Sequence, residues 1–157
     1  MSYPSPILAK FGAVANPPLP PGETGRVFVV MGAAGCGKST IGKAVAKRCA
    51  WPFLEGDDFH PPANVAKMSA GTPLDNDDRA PWVAAMCTAL DEEPARNVVL
   101  SCSSLSRAVR DWLRAGTRRE VVFLWLKLDR ETVRQRLAGR RRHFFKESMV
   151  DSQFAAL

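Results

Sequence analysis

Aromatic residues make up only 8% of this 157-residue chain, with one tyrosine, and they are not interleaved with its basic residues. Single-stranded nucleic acids are bound by that interleaving, through stacking and neutralisation together, so the formal charge of +6 does not by itself indicate a nucleic-acid partner. No apolar run approaches the ~18–20 residues that span a bilayer, which predicts a soluble chain without a membrane partner. The four cysteines, Cys36, Cys49, Cys87 and Cys102, include no C-x-x-C pair. Zinc binding and dithiol chemistry are therefore not indicated, and reduced thiols in a cytoplasmic protein are expected. There is no internal repeat, and the length suits one domain rather than two.

The amino-terminal 25 residues lack both the basic start of a secretory signal and the arginine bias of a transit peptide. They contain "NPPLPPGETG", whose prolines favour an extended or disordered segment, so residues 1–25 are read as an extension outside the folded domain at 26–157. From Arg26 onward short apolar runs alternate with helical stretches: "VFVVM", "STIGKAVAKRC", "PFLEG", "RAPWVAAMCTALDEE", "VVLSC", "SRAVRDWLRAG", "VVFLWLKL", "RETVRQRLAGR". The runs at 98–100 and 121–126 are apolar without alternation, the pattern of strands covered on both faces. The expected class is α/β, a parallel sheet with helices on both faces.

Between the first strand and the first helix stands "GAAGCGKST", residues 32–40, which satisfies G-x-x-x-x-G-K-[ST] in its confirming strand-to-helix context. This is a phosphate-binding P-loop. Glycines 32, 35 and 37 allow a tight turn in which backbone N–H groups of Gly32, Ala33, Ala34, Gly35, Cys36, Gly37, Lys38, Ser39 and Thr40 are available to phosphate oxygens at a helix N-terminus. Lys38 is expected to reach the outer phosphates and the Ser39 hydroxyl to ligate Mg²⁺, with ATP as the nucleotide. The loop names a nucleotide and leaves its use open. No N-K-x-D guanine-reading motif is present and the chain is small for a motor, which favours a small-molecule kinase.

The second strand leads into "EGDDFHPPANVAKM", gathering Glu55, Asp57, Asp58 and His60 at the carboxyl edge, where open α/β sheets bind ligands. Carboxylates there can take a proton from an acceptor hydroxyl or approach the metal. The same acids could instead cap the helix expected near Pro61.

"GAAGCGKSTIGKAVA", "GDDFHPPANVAKMSAGTPLDNDDRAPW", "CSSLSRAVRDWLR" and "HFFKESMVDSQFAAL", in this order, resemble the gluconokinase family of small P-loop kinases, related in fold to shikimate kinase. The resemblance runs from about Val27 to the last residue. It implies a P-loop sheet of order 2-3-1-4, continued in the family by a fifth strand, and the reaction of ATP with D-gluconate to give 6-phosphogluconate and ADP. It also suggests a homodimer. By the same resemblance Asp57 binds and activates the acceptor hydroxyl, Glu55 sits nearer the metal, and His60 joins the sugar site. Arg79 holds the substrate carboxylate, which suits a planar guanidinium, with Asp78 and Trp82 in support. Arg107 faces substrate or transferred phosphate, and Arg110 and Asp111 form a pair on the helix face.

"RLAGRRRHFF" resembles the lid of these kinases, with Arg136 and Arg140 as the arginines that neutralise charge during transfer. Arg141, Arg142 and His143 are equally read as solvated or packed. The chain departs from the family pattern at Ser106, Val109 and Phe145-Lys146, and stops where the family continues with a Glu-Pro segment, a strand and a helix, so it reads as truncated at its carboxyl end. Kinases for other sugar or hydroxy acids, and a non-catalytic nucleotide-binding remnant, are the alternatives.

Overall fold

The computed structural model describes residues 16–18, 20–138 and 150–156. Its elements alternate as the sequence pattern predicts: β1 (Arg26–Met31), α1 (Lys38–Cys49), β2 (Phe53–Glu55), a short 3-10 turn (Gly56–Phe59), α2 (Pro62–Ser69), α3 (Asn76–Glu92), β3 (Asn97–Ser101), α4 (Arg107–Gly116), β4 (Glu120–Trp125), α5 (Arg130–Ala138) and α6 (Val150–Ala155). The four strands form one sheet in the order β2-β3-β1-β4. Every pairing is parallel, with Val29 opposite Leu100 on one side and Phe123 on the other.

Non-alternating strands end up buried on both faces, and β1 and β3 meet that requirement. Val27, Val29, Val30, Val98, Val99 and Leu100 are all fully buried. On one face Trp82, Met86 and Leu90 of α3 and Val109 and Leu113 of α4 pack against Val27, Val29, Val98 and Leu100. On the other, Ala46 of α1 packs with Val30 and Val99, joined by Trp51 and Phe53. Each such side chain contributes about 1.5–3 kcal/mol by leaving water. The edge strand β4 differs from the expected two-sided cover: Leu124 and Trp125 are 38% and 48% exposed.

The polypeptide before β1 also departs from the boundary drawn at Arg26. Asn16 exchanges two hydrogen bonds with the Asn97 backbone, Pro18 bridges Ala95, and Glu23 pairs with Arg96. The described part of the proline-rich segment thus lies against the start of β3. Beside it, the buried Arg119 guanidinium donates to the carbonyls of Leu90, Glu93, Ala95 and Arg96. Those bonds tie the end of α3 to the turn into β3, where Arg96 O also accepts from Arg26 N at 2.9 Å.

Because the strands are parallel, their carboxyl ends all open on one side. The P-loop after β1, the 3-10 turn after β2 and the loop after β3 are neighbours there for that reason alone.

Candidate active site

The P-loop descends from Met31 and enters α1 at Lys38, with Gly37 as N-cap in the left-handed region at φ 96°. A Cβ at Gly37 would meet no atom within 4 Å, so it is the backbone angle, not crowding, that requires glycine. Lys38 Nζ donates to Ala33 O at 3.0 Å, folding the lysine back over the loop. Ser39 Oγ lies 3.4 Å from Ser101 Oγ at the carboxyl end of β3. Arg136, on α5, donates to Cys36 O at 3.3 Å and so bears on the loop from outside.

Across from this loop, β2 ends at Glu55 and turns through the 3-10 segment. The turn passes so close to β3 that a Cβ at Gly56 would come within 2.4 Å of Ser101 O. Glycine there brings Asp57 and Asp58 beside the P-loop. Neither acid caps α2, whose N-cap is Pro61 without a side-chain hydrogen bond, so the capping alternative for them is not realised.

α3 carries the third wall. Its first turn is fixed by a capping box in which Asp75 accepts from Asp78 N and Asp78 accepts from Asp75 N, both at 2.9 Å. Lys67 of α2 closes the junction, donating to Asp78 at 2.5 Å and to Asp75 at 3.3 Å. The bond to Asp78 raises the Lys67 pKa above its ordinary value. Hydrogen bonds from the Asp78 backbone first, and from Lys67, hold the Asp75 carboxyl below its own. This junction aims Arg79, whose guanidinium makes one hydrogen bond, to Asn76 Oδ1 at 3.5 Å, and has no ion-pair partner among the described residues.

One turn further on, Trp82 is buried, donates from Nε1 to Gly56 O at 2.7 Å, and lies flat against His60. Asn64 of α2 donates to Asp78 O at 2.8 Å and turns the same amide nitrogen to His60 Nδ1 at 3.4 Å. His60 Nδ1 is therefore the acceptor and Nε2 carries the proton. Burial lowers the His60 pKa, against the opposing pull of Asp57, so the ring is neutral at physiological pH.

A cavity of about 510 Å³ unites these walls. Gly35, Gly37, Lys38, Ser39 and Thr40 line one side, and Glu55, Asp57, Asp58, His60, Arg79 and Trp82 the other. Ala34 also lines it, with Ser152, Gln153 and Ala156 of α6. Gly32, Ala33 and Cys36 form the buried underside of the loop. Next to this floor Cys102 is almost wholly buried, which pushes its thiol up to about 11 and leaves it a packing residue.

Arg107 stands outside the cavity lining, its side chain 88% exposed and 3.5 Å from Asp111. The expected Arg110–Asp111 pair is replaced accordingly: Asp111 pairs with Arg107 and Arg114, while Arg110 donates to the carbonyls of Ser104 and Leu105. Arg110 thus holds the loop after β3, where Ser104 takes a positive φ of 46°. Helical spacing accounts for the exchange: Arg107 and Arg114 lie four residues before and three after Asp111 on one helix face, whereas its immediate neighbour Arg110 points away from it. Arg140, Arg141, Arg142 and His143 lie outside the described residues.

Two residues that bear on the site were not singled out from sequence: Asn64, which holds His60 from behind, and Gln153, which lines the cavity. Asn64 had a visible signal, a poor helix former inside a short helix four residues after His60. Gln153 lay within the quoted D-S-Q-F ending, where nothing local indicated that it would reach the P-loop.

Residues 34–155 match the shikimate kinase family. The chain is 44% identical over 138 residues to the probable gluconokinase of Schizosaccharomyces pombe, covering 83% of this chain and 72% of that one. It is 42% identical over 134 residues to the gluconokinase of Gluconobacter oxydans, covering 84% and 75% respectively. The solved gluconokinase structure from Sinorhizobium meliloti has a TM-score of 0.74 at 42% identity, over 85% of this chain and 74% of that one.

Proposed function

The chain belongs to the gluconokinase family of small P-loop kinases, and from that premise we propose that it transfers the terminal phosphoryl group of ATP to D-gluconate. The observation that carries this reading is the shared cavity: phosphate-binding backbone and Lys38 on one wall, a carboxylate, a neutral imidazole and an unpaired arginine on the other. A sugar acid has the complementary groups, an anionic end for Arg79 and hydroxyls for Asp57 and His60. The cavity's volume also lies within the range of small-molecule sites.

In this reaction the O6 hydroxyl of gluconate attacks the terminal phosphorus of ATP. Its proton passes to the Asp57 carboxylate, the new O–P bond forms, and the bond to the bridging oxygen breaks to release ADP. The turn of the P-loop presents backbone N–H groups to the phosphate oxygens, and Lys38 exchanges Ala33 O for those oxygens to meet their charge. Arg79 fixes the far end of the acceptor, so that one hydroxyl lies beside Asp57. His60, with Nδ1 engaged by Asn64, offers Nε2–H to a substrate oxygen. Arg136 reinforces the loop through Cys36 O.

The donor set suits Mg²⁺: the Ser39 hydroxyl and the Glu55 carboxylate are hard oxygen ligands lining the same cavity. Among the described residues no group of three His, Cys, Asp or Glu side chains could hold a metal. That fits an ion taking most of its ligands from phosphate and water. When bound, it neutralises charge on the outer phosphates.

The test is an ADP-coupled assay with Mg·ATP and a panel of sugar acids, D-gluconate among them. Turnover that rises with D-gluconate above the other acids supports the proposal. Preference for a different acid would reassign the substrate. ATP binding with no acceptor-dependent turnover would favour the non-catalytic alternative.

A further inference from the structure

Transfer as derived above makes no use of the S-Q-F stretch at 152–154, yet α6 brings it to the nucleotide side of the cavity. Gln153 Oε1 accepts a hydrogen bond of 2.8 Å from Ala34 N, a contact that spans 119 positions of sequence. The donor is a backbone N–H, so the amide oxygen must be the atom that faces it. Gln153 is half-buried and lines the cavity with Ala34 and Lys38.

The helix that presents it is anchored independently of this bond. Asp151 pairs with Arg134 at 3.1 Å and with Arg130 at 3.4 Å. Val150 is fully buried among Ala33, Ala34, Val133 and Leu137, with Phe154 packed against the same group. Arg130 lies over the Phe154 ring, 5.3 Å from its centroid. Gln153 therefore reaches the P-loop from a scaffold that holds without it.

A P-loop has few internal bonds to define its shape. Here Cys36 N donates to Ala33 O and Gly32 N to Ser103 O, both at 3.2 Å. Among the described residues, Gln153 supplies the side-chain acceptor for a loop N–H. If Ala34 N were released, the peptide unit between Ala33 and Ala34 could rotate. Ala33 O, which receives Lys38 Nζ and Cys36 N, would move with it.

We infer that Gln153 is a positioning residue for the nucleotide phosphates: by engaging Ala34 N it sets the P-loop backbone, and through Ala33 O the resting place of Lys38. This deepens the kinase reading and rests on it only for the identity of the ligand.

Gln153→Met keeps the length of the side chain and removes the acceptor. In the full chain we expect the Kd for ADP, measured by calorimetry, to rise about tenfold, the scale of one lost hydrogen bond at an anion site. Exchange of the Ala34 amide, followed in ¹⁵N-labelled protein, should quicken at least about tenfold, while the urea midpoint stays at the wild-type value. Gln153→Glu retains an acceptor and should keep Ala34 protected. The inference is overturned if Gln153→Met binds ADP like wild type, if Ala34 exchange is unchanged, or if affinity falls only in step with global stability. Loss of Ala34 protection in Gln153→Glu with the fold intact would also overturn it. ADP binding and amide exchange need no acceptor, so absence of gluconate turnover in the wild-type chain would defeat the substrate assignment and leave this test standing.

Discussion

His60 and Trp82 lie face to face with ring centroids 4.2 Å apart and planes 14° from parallel, and the same indole donates to Gly56 O. One α3 side chain thus fixes both the imidazole and the turn that carries Asp57. Trp82→Phe keeps an aromatic face and leaves the buried Gly56 carbonyl without its donor. The expected result is a stability loss of about 1–3 kcal/mol in urea unfolding, and a KM for D-gluconate raised more than the KM for ATP. Equal changes in both KM values would detach the stack from the acceptor side.

Burial sets a pH dependence through the same imidazole. The His60 pKa lies below its ordinary 6.5, chiefly by desolvation, with Asp57 opposing. Between the two values the unfolded chain binds a proton that the folded one refuses. The contribution to stability is therefore full above pH 6.5 and is lost as pH falls below it. Urea midpoints should drop on going from pH 7.5 to about 5.5, and His60→Gln should flatten that drop. Asp75 is depressed below 3.8, so its contribution fades only in a more acid window, which separates the two groups. A midpoint in His60→Gln that falls as in wild type would refute the assignment.

Lys38 and Asp57 stand on opposite walls of one cavity, and their variants should fail differently. Lys38→Ala should weaken ATP binding and turnover together. Asp57→Asn should leave ATP affinity within about threefold while kcat falls by about 10²-fold or more, since only the acceptor proton depends on that carboxylate. Calorimetric titration with a non-hydrolysable ATP analogue beside steady-state kinetics makes the comparison.

Arg79→Lys retains charge and loses the planar fork that pairs with a carboxylate. The KM for D-gluconate should rise about tenfold or more with the KM for ATP nearly constant, and the effect should vanish with an acceptor whose carboxylate has been reduced to an alcohol. An unchanged gluconate KM would remove Arg79 from the acceptor end.

Strand and helix alternation, the parallel sheet and the P-loop were all legible in the residues themselves. Apolar runs without alternation favour cover on both faces, which β1 and β3 receive and β4 does not, and a glycine-rich turn that ends in Lys-Ser between strand and helix has one common use. The acids of "EGDDFH" were legible too, because carboxyl ends of parallel strands share one edge. Sequence alone could not decide among chemically equal neighbours or foresee contacts made across the chain. Arg107 and Arg110 are both arginines in the first turn of α4, and packing of the Ser104–Leu105 loop sends only Arg110 inward. Asn64, Asp78 and Trp82 acquire their roles where α2, α3 and the 3-10 turn meet around His60. Gln153 gains its role from α6 lying against the loop 119 positions earlier. Local propensity and periodicity determine which segments become strands, helices and turns. Which polar atom faces which other is decided by three-dimensional packing, because every buried donor or acceptor must find a partner among whatever the fold brings near.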